Sequence, residues 1–291
     1  MPLPRVVLDT DTFNEVDDQF ALAHLLLSPE QVQLEAVYAA PFHNDRSSGP
    51  AEGMERSYEE IHRVLDMVKT AQRPPVYRGS TAWLLAADRP VESEMVADLI
   101  SRAHATPAGE RLMVVAIGAI TNVASALLTD PGITEKIEVV WLGGHAPYWY
   151  STNEFNLRQD LHAARVVLDS KAPLVLIPCL PVASHLLTTV AELEELLAPF
   201  SPLGRYLTDI VRQYNPKNLP AWSKEIWDIS ASAWAINPDW LPSEEAPSPV
   251  LRDDLTWDPT PGPRHLIRIA RKVNRNQIFA DFFAKAKTMG A

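Results

Sequence analysis

The chain has 291 residues, 46% hydrophobic and 22% charged, which excludes a predominantly disordered polypeptide and suffices for one large α/β core. Acidic residues outnumber basic ones 37 to 26, for a formal charge of −11, and that excludes nucleic acid or an anionic membrane as a partner held by bulk electrostatics. A single cysteine, Cys179, excludes a disulfide framework and a multi-cysteine zinc site, and no apolar run approaches the roughly 18 residues of a membrane-spanning helix.

Met1 to Arg5 lead straight into a strand-like run, Val6 to Leu8, with no signal-peptide pattern, so the expected location is cytoplasmic. The run ends in acids and gives way to a helical pattern from Asp17 to Leu27, carried by Phe20, Leu22, Leu25 and Leu26. Gln33 to Ala39 reads as a strand, Glu55 to Val68 as a helix, Pro75 to Tyr77 as a short strand and Ser93 to Ala105 as a helix. Leu112 to Ile117 is a long apolar strand, followed by Gly118 and by a helix opening at Thr121 or Asn122, a pair that reads as a cap. Ile137 to Leu142 is a strand ending in Gly143-Gly144, Asp160 to Leu168 a helix, and Leu174 to Ile177 a strand. Helical segments follow at Ala191 to Ala198 and Gly204 to Tyr214. The Trp- and Pro-rich stretch from Asn215 to Ser248 reads as packed structure, Leu266 to Val273 as a strand and Gln277 to Lys287 as a closing helix. Nearly all-apolar strands alternating with helices predict a mainly parallel, Rossmann-like α/β sheet covered on both faces. With no repeat and no composition break, residues 1–291 read as one domain.

Asp9, Asp11, Glu15, Asp17 and Asp18 fall within ten residues where the first strand hands over to the first helix. Ligands of open α/β sheets bind outside the carboxyl ends of the strands, so chemistry is expected here. One acid at a helix N-terminus is ordinary dipole complementation, but five crowded carboxylates repel one another and take up protons unless a cation sits among them. Oxygen donors without His or Cys favour a hard ion, Ca²⁺ or Mg²⁺. Asp9-Thr10-Asp11-Thr12 also partly matches the acidic motif of haloacid-dehalogenase-like phosphatases, with Asp9 as nucleophile; the late acid of that family has no counterpart at Leu142-Gly143-Gly144-His145.

The ordered set of motifs resembles the inosine-uridine-preferring nucleoside hydrolase family. The matching segments are Val6 to Asp11 with Asp17-Asp18 after a lengthened loop, Asn44 after the second strand, Ala116 to Asn122, Glu154-Phe155-Asn156, and Trp227-Asp228. The resemblance implies a Ca²⁺-dependent hydrolase that cleaves the N-glycosidic bond of ribonucleosides, working as a homodimer or homotetramer. It implies Asp11 as general base and metal ligand; Asp18, the Ile117 carbonyl and Asp228 as further ligands; and Asp17, Asn44, Glu154 and Asn156 as contacts to the sugar. Where many members carry a His before the late Asp, this chain has Trp227, as purine-preferring members do, which points to base stacking and a purine-leaning substrate. Trp83 and Trp222 are candidates for a second stacking face, Tyr148, Trp149, Tyr150 and His145 for parts of the base pocket, and His43 and His185 for proton donors. The alternative within the binding class is a metal-dependent nucleoside binder without turnover. Arg264, Arg268, Arg271, Lys272 and Arg275 form a basic cluster that reads as a solvated face.

Overall fold

The computed structural model describes residues 3–68, 72–215, 217, 219–260 and 262–288. Met1 and Pro2, part of the terminus read above as leaderless, lie outside the described residues, as do Pro216 and Asn218 of the Trp- and Pro-rich stretch. In chain order the elements are β1 (Arg5–Thr10), α1 (Asp18–Leu26), β2 (Gln33–Ala39), α2 (Pro50–Met67), β3 (Val76–Arg78), α3 (Glu94–His104), β4 (Leu112–Ala116) and α4 (Thr121–Thr129). Next come β5 (Ile137–Leu142), α5 (Phe155–Gln159), α6 (Leu161–Asp169), β6 (Leu174–Ile177), β7 (Leu187–Thr188), α7 (Val190–Leu196) and α8 (Pro202–Tyr214). The chain closes with β8 (Lys224–Glu225), α9 (Ile229–Ile236), β9 (Ser243–Pro247), β10 (Leu266–Ala270) and α10 (Arg275–Thr288).

Eight strands form one sheet in the order β3-β2-β1-β4-β5-β6-β10-β9. Every pairing is parallel except the edge pair of β9 with β10. Period-two alternation divides each central strand between two cores. Val6 and Leu8 of β1 join Val115, Val140 and Leu142 on the face covered by α1, α9 and α10. Val7 joins Val114, Val139 and Trp141 on the face covered by α3, α4 and α6. Leu8 is fully buried, so truncating it to Ala costs about 2–5 kcal/mol.

The predicted strands are present and mainly parallel. Two helices, α5 and α9, have no counterpart in the periodicity. All of α9 except its last residue is buried, and so is all of α1. α1 is still marked by its large apolar residues, Phe20, Leu22, Leu25 and Leu26, whereas α9 is built mostly of Ser and Ala, which mark no apolar face. The helix expected from Glu55 begins at Pro50, whose fixed φ suits the first helical position. A Cβ at Gly53 in that first turn would stand 2.0 Å from the Phe42 carbonyl oxygen, so only glycine lets the two segments approach. Of the C-terminal basic residues, Arg264 pairs with Asp169, Arg268 with Glu245, Arg271 with Glu244 and Arg275 with Glu192, and Arg264 and Arg275 are half-buried.

Candidate active site

The strand order reverses between β1 and β4, and the crevice outside that switch point is where the acids gather. Asp9 ends β1 inside the sheet, and Asp11 lies just beyond it against Gly118, where an added Cβ would come within 2.9 Å of the Asp11 carboxyl carbon. The lengthened loop that follows is braced from outside. Arg46 donates to the carbonyls of Phe13 and Glu15 at 3.2 and 3.0 Å, Gln19 donates to that of Thr12 at 2.7 Å, and the buried Lys224 pairs with Glu15 at 2.7 Å. Burial opposes the Lys224 charge, but Asp17 and Glu15 outweigh it and keep the ammonium protonated.

Asp17 opens α1 without capping it, and Asp18 is the first helical residue. Asp228 stands at the same point of α9, which packs against α1. One carboxylate oxygen from each of Asp17, Asp18 and Asp228 lies within 4.8 Å of the other two. Thr10 Oγ1 donates to Asp18 Oδ1 at 2.5 Å, and the Asp228 backbone N–H donates to Asp17 Oδ2 at 3.3 Å. Asp9 Oδ2, both oxygens of Asp11 and Asp18 Oδ2 are buried and have no hydrogen-bond partner among the described residues. Burial raises the pKa of Asp9 to about 7, and burial with neighbouring acids raises Asp17 to about 6 and Asp18 to about 8. Asp11 and Asp228 are pushed well above the usual carboxylate range, first by burial and then by the surrounding acids. Buried, crowded, unpartnered carboxylate oxygens with no nitrogen or sulfur among them are the donor set of a hard divalent cation.

Beside the acids is a cavity of about 270 Å³. Of the residues expected at the site, Asp17, Ile117, Glu154, Asn156, Trp227 and Asp228 line it. Asp11 and Asp18 do not line it, and Asp17, expected as a contact to a sugar hydroxyl and water, belongs to the three-acid group. Asn44 stands apart: its amide donates to the carbonyl and side-chain oxygens of Asn14 at 3.1 and 2.8 Å, and it is Asn14 that reaches the cavity.

Glu154 and Asn156 reach one site from the start of α5. Glu154 is the N-cap of α5, accepting backbone N–H groups of Gly144, Asn156 and Leu157 at 2.8, 2.9 and 3.0 Å. Asn156, in the first turn, donates to the carbonyls of Ile117 and Leu142, both at 3.0 Å, and so ties the ends of β4 and β5 together. Thr121 and Asn122 do not cap α4, whose cap position is Ile120. Asn122 Nδ2 instead donates to Asp9 Oδ1 at 2.7 Å, while its Oδ1 accepts the Ser80 N–H, and Thr121 donates to Asp160. One oxygen of Asp9 is thereby committed to Asn122, and Asp9 does not line the cavity.

Trp83, Trp222, Tyr148, Trp149, Tyr150, His43 and His185 do not line the cavity; Tyr150 is 85% exposed. His145 does, together with Phe155 and Cys179. Cys179 follows β6 and carried no motif, so only its place beyond a strand's carboxyl end could have marked it. Its thiol contacts Glu154, and burial together with that negative charge pushes the thiol upward, away from a reactive thiolate.

The family model for inosine-uridine preferring nucleoside hydrolases matches residues 6–280, and the chain belongs to that family. Among curated proteins it is similar to the pyrimidine-specific ribonucleoside hydrolase RihB of Escherichia coli, 28% identical over 144 residues, which are 46% of this chain and 44% of that one. It is also similar to the putative pyrimidine-specific ribonucleoside hydrolase RihB of Shigella boydii, 29% identical over 144 residues, 46% of this chain and 57% of that one. The chain thus spans about half the length of the curated relatives it matches. Among solved structures, an inosine-guanosine nucleoside hydrolase superposes with a TM-score of 0.78 at 17% identity over 100% of both chains. The purine-preferring ribonucleoside hydrolase from Gardnerella vaginalis does so with a TM-score of 0.75 at 20% identity, over 98% of this chain and 99% of that one. At such identities these likenesses establish the nucleoside hydrolase fold and no more. Among the described residues no helix is long and apolar enough to cross a membrane.

Proposed function

We propose that this protein hydrolyses the N-glycosidic bond of ribonucleosides, purines in preference, with Ca²⁺ held by Asp11, Asp18, Asp228 and the Ile117 carbonyl. The observation that carries the reading is the meeting of Asp17, Asp18 and Asp228, with the unpartnered oxygens of Asp11 and Asp18 beside them, at a cavity walled by Trp227 and Asn156. The match over 6–280 and the continuous eight-stranded sheet support treating residues 1–291 as one domain.

The chemistry follows from charge. Breaking an N-glycosidic bond develops positive charge on the sugar ring, and a wall of carboxylates favours that state over the neutral substrate. Asp11, unpartnered and raised in basicity by burial, takes the proton of the attacking water. Asp17 accepts from a sugar hydroxyl. Asn156 has committed its amide hydrogens to two backbone carbonyls and offers its oxygen to another hydroxyl. Glu154, fixed by three backbone N–H groups and the Cys179 thiol, presents its carboxylate to the cavity beside the sugar. A divalent cation at the acids supplies Lewis acidity toward water and a grip on vicinal hydroxyls. Trp227 offers its indole face to the base.

The test is release of free base from inosine, adenosine, uridine and cytidine, with chelator and after Ca²⁺ is restored. Metal-dependent release with inosine ahead of uridine is expected. The curated relatives are named pyrimidine-specific, which makes uridine the informative competitor. Saturable nucleoside binding without release from any of the four would establish the binder instead.

A further inference from the structure

The acidic wall that favours a cationic sugar opposes the electron pair that the departing base must accept. Leaving therefore requires a donor aimed at the base, and the position that supplies a general acid in many relatives by resemblance holds Trp227 here. Asn156 has no amide hydrogen to give, both being committed to the carbonyls of Ile117 and Leu142. His145 lines the same cavity as Trp227 and is held on three sides. Its backbone N–H donates to Thr152 Oγ1 at 2.9 Å, its carbonyl accepts the Trp257 indole N–H at 2.9 Å, and its Nδ1 accepts the Leu180 backbone N–H at 3.2 Å. The residue before it, Gly144, has φ +65°, and a Cβ there would stand 2.6 Å from Thr152 Oγ1 and 2.8 Å from Leu157 Cδ1, so the backbone that presents His145 is fixed in a form only glycine accepts.

The Leu180 bond settles the tautomer. An Nδ1 that accepts an N–H carries no proton, so the neutral ring bears its hydrogen on Nε2. Burial lowers the pKa of the ring, in keeping with a neutral imidazole. Among the described residues the ring's resolved hydrogen bond is this one at Nδ1, while the neighbouring Gly144 backbone pulls the pKa part of the way back up against burial.

We propose that His145 is a catalytic residue of the leaving-group side, a neutral Nε2–H donor that hydrogen-bonds the base as the glycosidic bond breaks; this rests on the hydrolase reading above. The C1′–N pair passes to the base, the water oxygen bonds to C1′, and the water proton goes to Asp11. The imidazole keeps its own proton, and the base takes one from solvent after departure. Such a donor works because it is oriented before the reaction.

The experiment compares inosine with 4-nitrophenyl β-D-ribofuranoside, whose nitrophenolate leaves as a stable anion without help, in wild type, H145A and H145Q with Ca²⁺ present. H145A should lose about 100-fold in kcat on inosine, the scale of one preorganised donor, while its turnover of the nitrophenyl riboside stays near wild type and shows that the site is folded. H145Q, whose amide N–H reaches the Nε2 position, should recover part of the inosine activity. Equal losses on both substrates, or no loss on inosine, overturn the role of His145 alone. A wild type that cleaves neither substrate overturns the hydrolase reading and this inference with it.

Discussion

The backbone N–H of Asp228 donates to Asp17 Oδ2 at 3.3 Å, joining the residues that precede α1 and α9 across 211 positions of chain. Through this contact two helix N-termini share one pocket of carboxylates, and their positive dipole ends favour the accumulated negative charge. Asp228→Asn removes one charged oxygen from the group while leaving the backbone bond in place. Its Ca²⁺ affinity, read by calorimetry, should fall at least about tenfold, the lower end of what even an outer-shell partner contributes. Unchanged affinity would remove Asp228 from the ligand set.

Asp11→Asn should reduce turnover by about 100-fold or more, the range of a positioned general base, with a melting temperature in chelator at or above that of wild type because a buried, unpartnered charge has gone. Gly118→Ala should act on the same group sterically, since its methyl would press on the Asp11 carboxyl. Initial rates with differential scanning calorimetry check both. A variant that is less active only because it is unfolded would show in the melt.

Burial raises Asp9 to about 7, Asp17 to about 6 and Asp18 to about 8. A carboxyl whose folded pKa lies above its unfolded value holds more protons when folded, so stability falls as pH rises through that window. In chelator, urea midpoints should therefore decline between about pH 5 and pH 8. Added Ca²⁺ should lift the midpoint most at the upper end, because the ion replaces the protons there. A flat or rising profile in chelator contradicts the assignment.

Trp227→Ala should weaken purine nucleosides more than pyrimidine ones, by a factor of about 5 to 150 in kcat/KM on the purine, since stacking of a base on an aromatic ring is worth about 1–3 kcal/mol. Parallel kinetics on inosine and uridine decide it, and equal losses would assign the indole to packing alone.

The sequence by itself determined the sheet, the acidic loop at its first carboxyl end and the order of motifs that mark the family. These are local signals: apolar strands of period two, helices with one polar side, and carboxylates too crowded to be mere caps. Only the tertiary structure decided which side chains meet. Asp17 joined the carboxylate group, and Asn44 left the cavity to Asn14, because a lengthened loop braced by Arg46 and Lys224 has no path that spacing can reveal. Asn122 changed from a helix cap to the partner of Asp9 because two strands and a loop converge on it. The helix α9 is silent in the pattern because it is mostly Ser and Ala, yet it places Asp228 at its N-terminus. Cys179 joined His145, already a candidate for the base pocket, at the cavity because β4, β5 and β6 lie in that order and end on the same side, a neighbourhood set by sheet order across long stretches of chain.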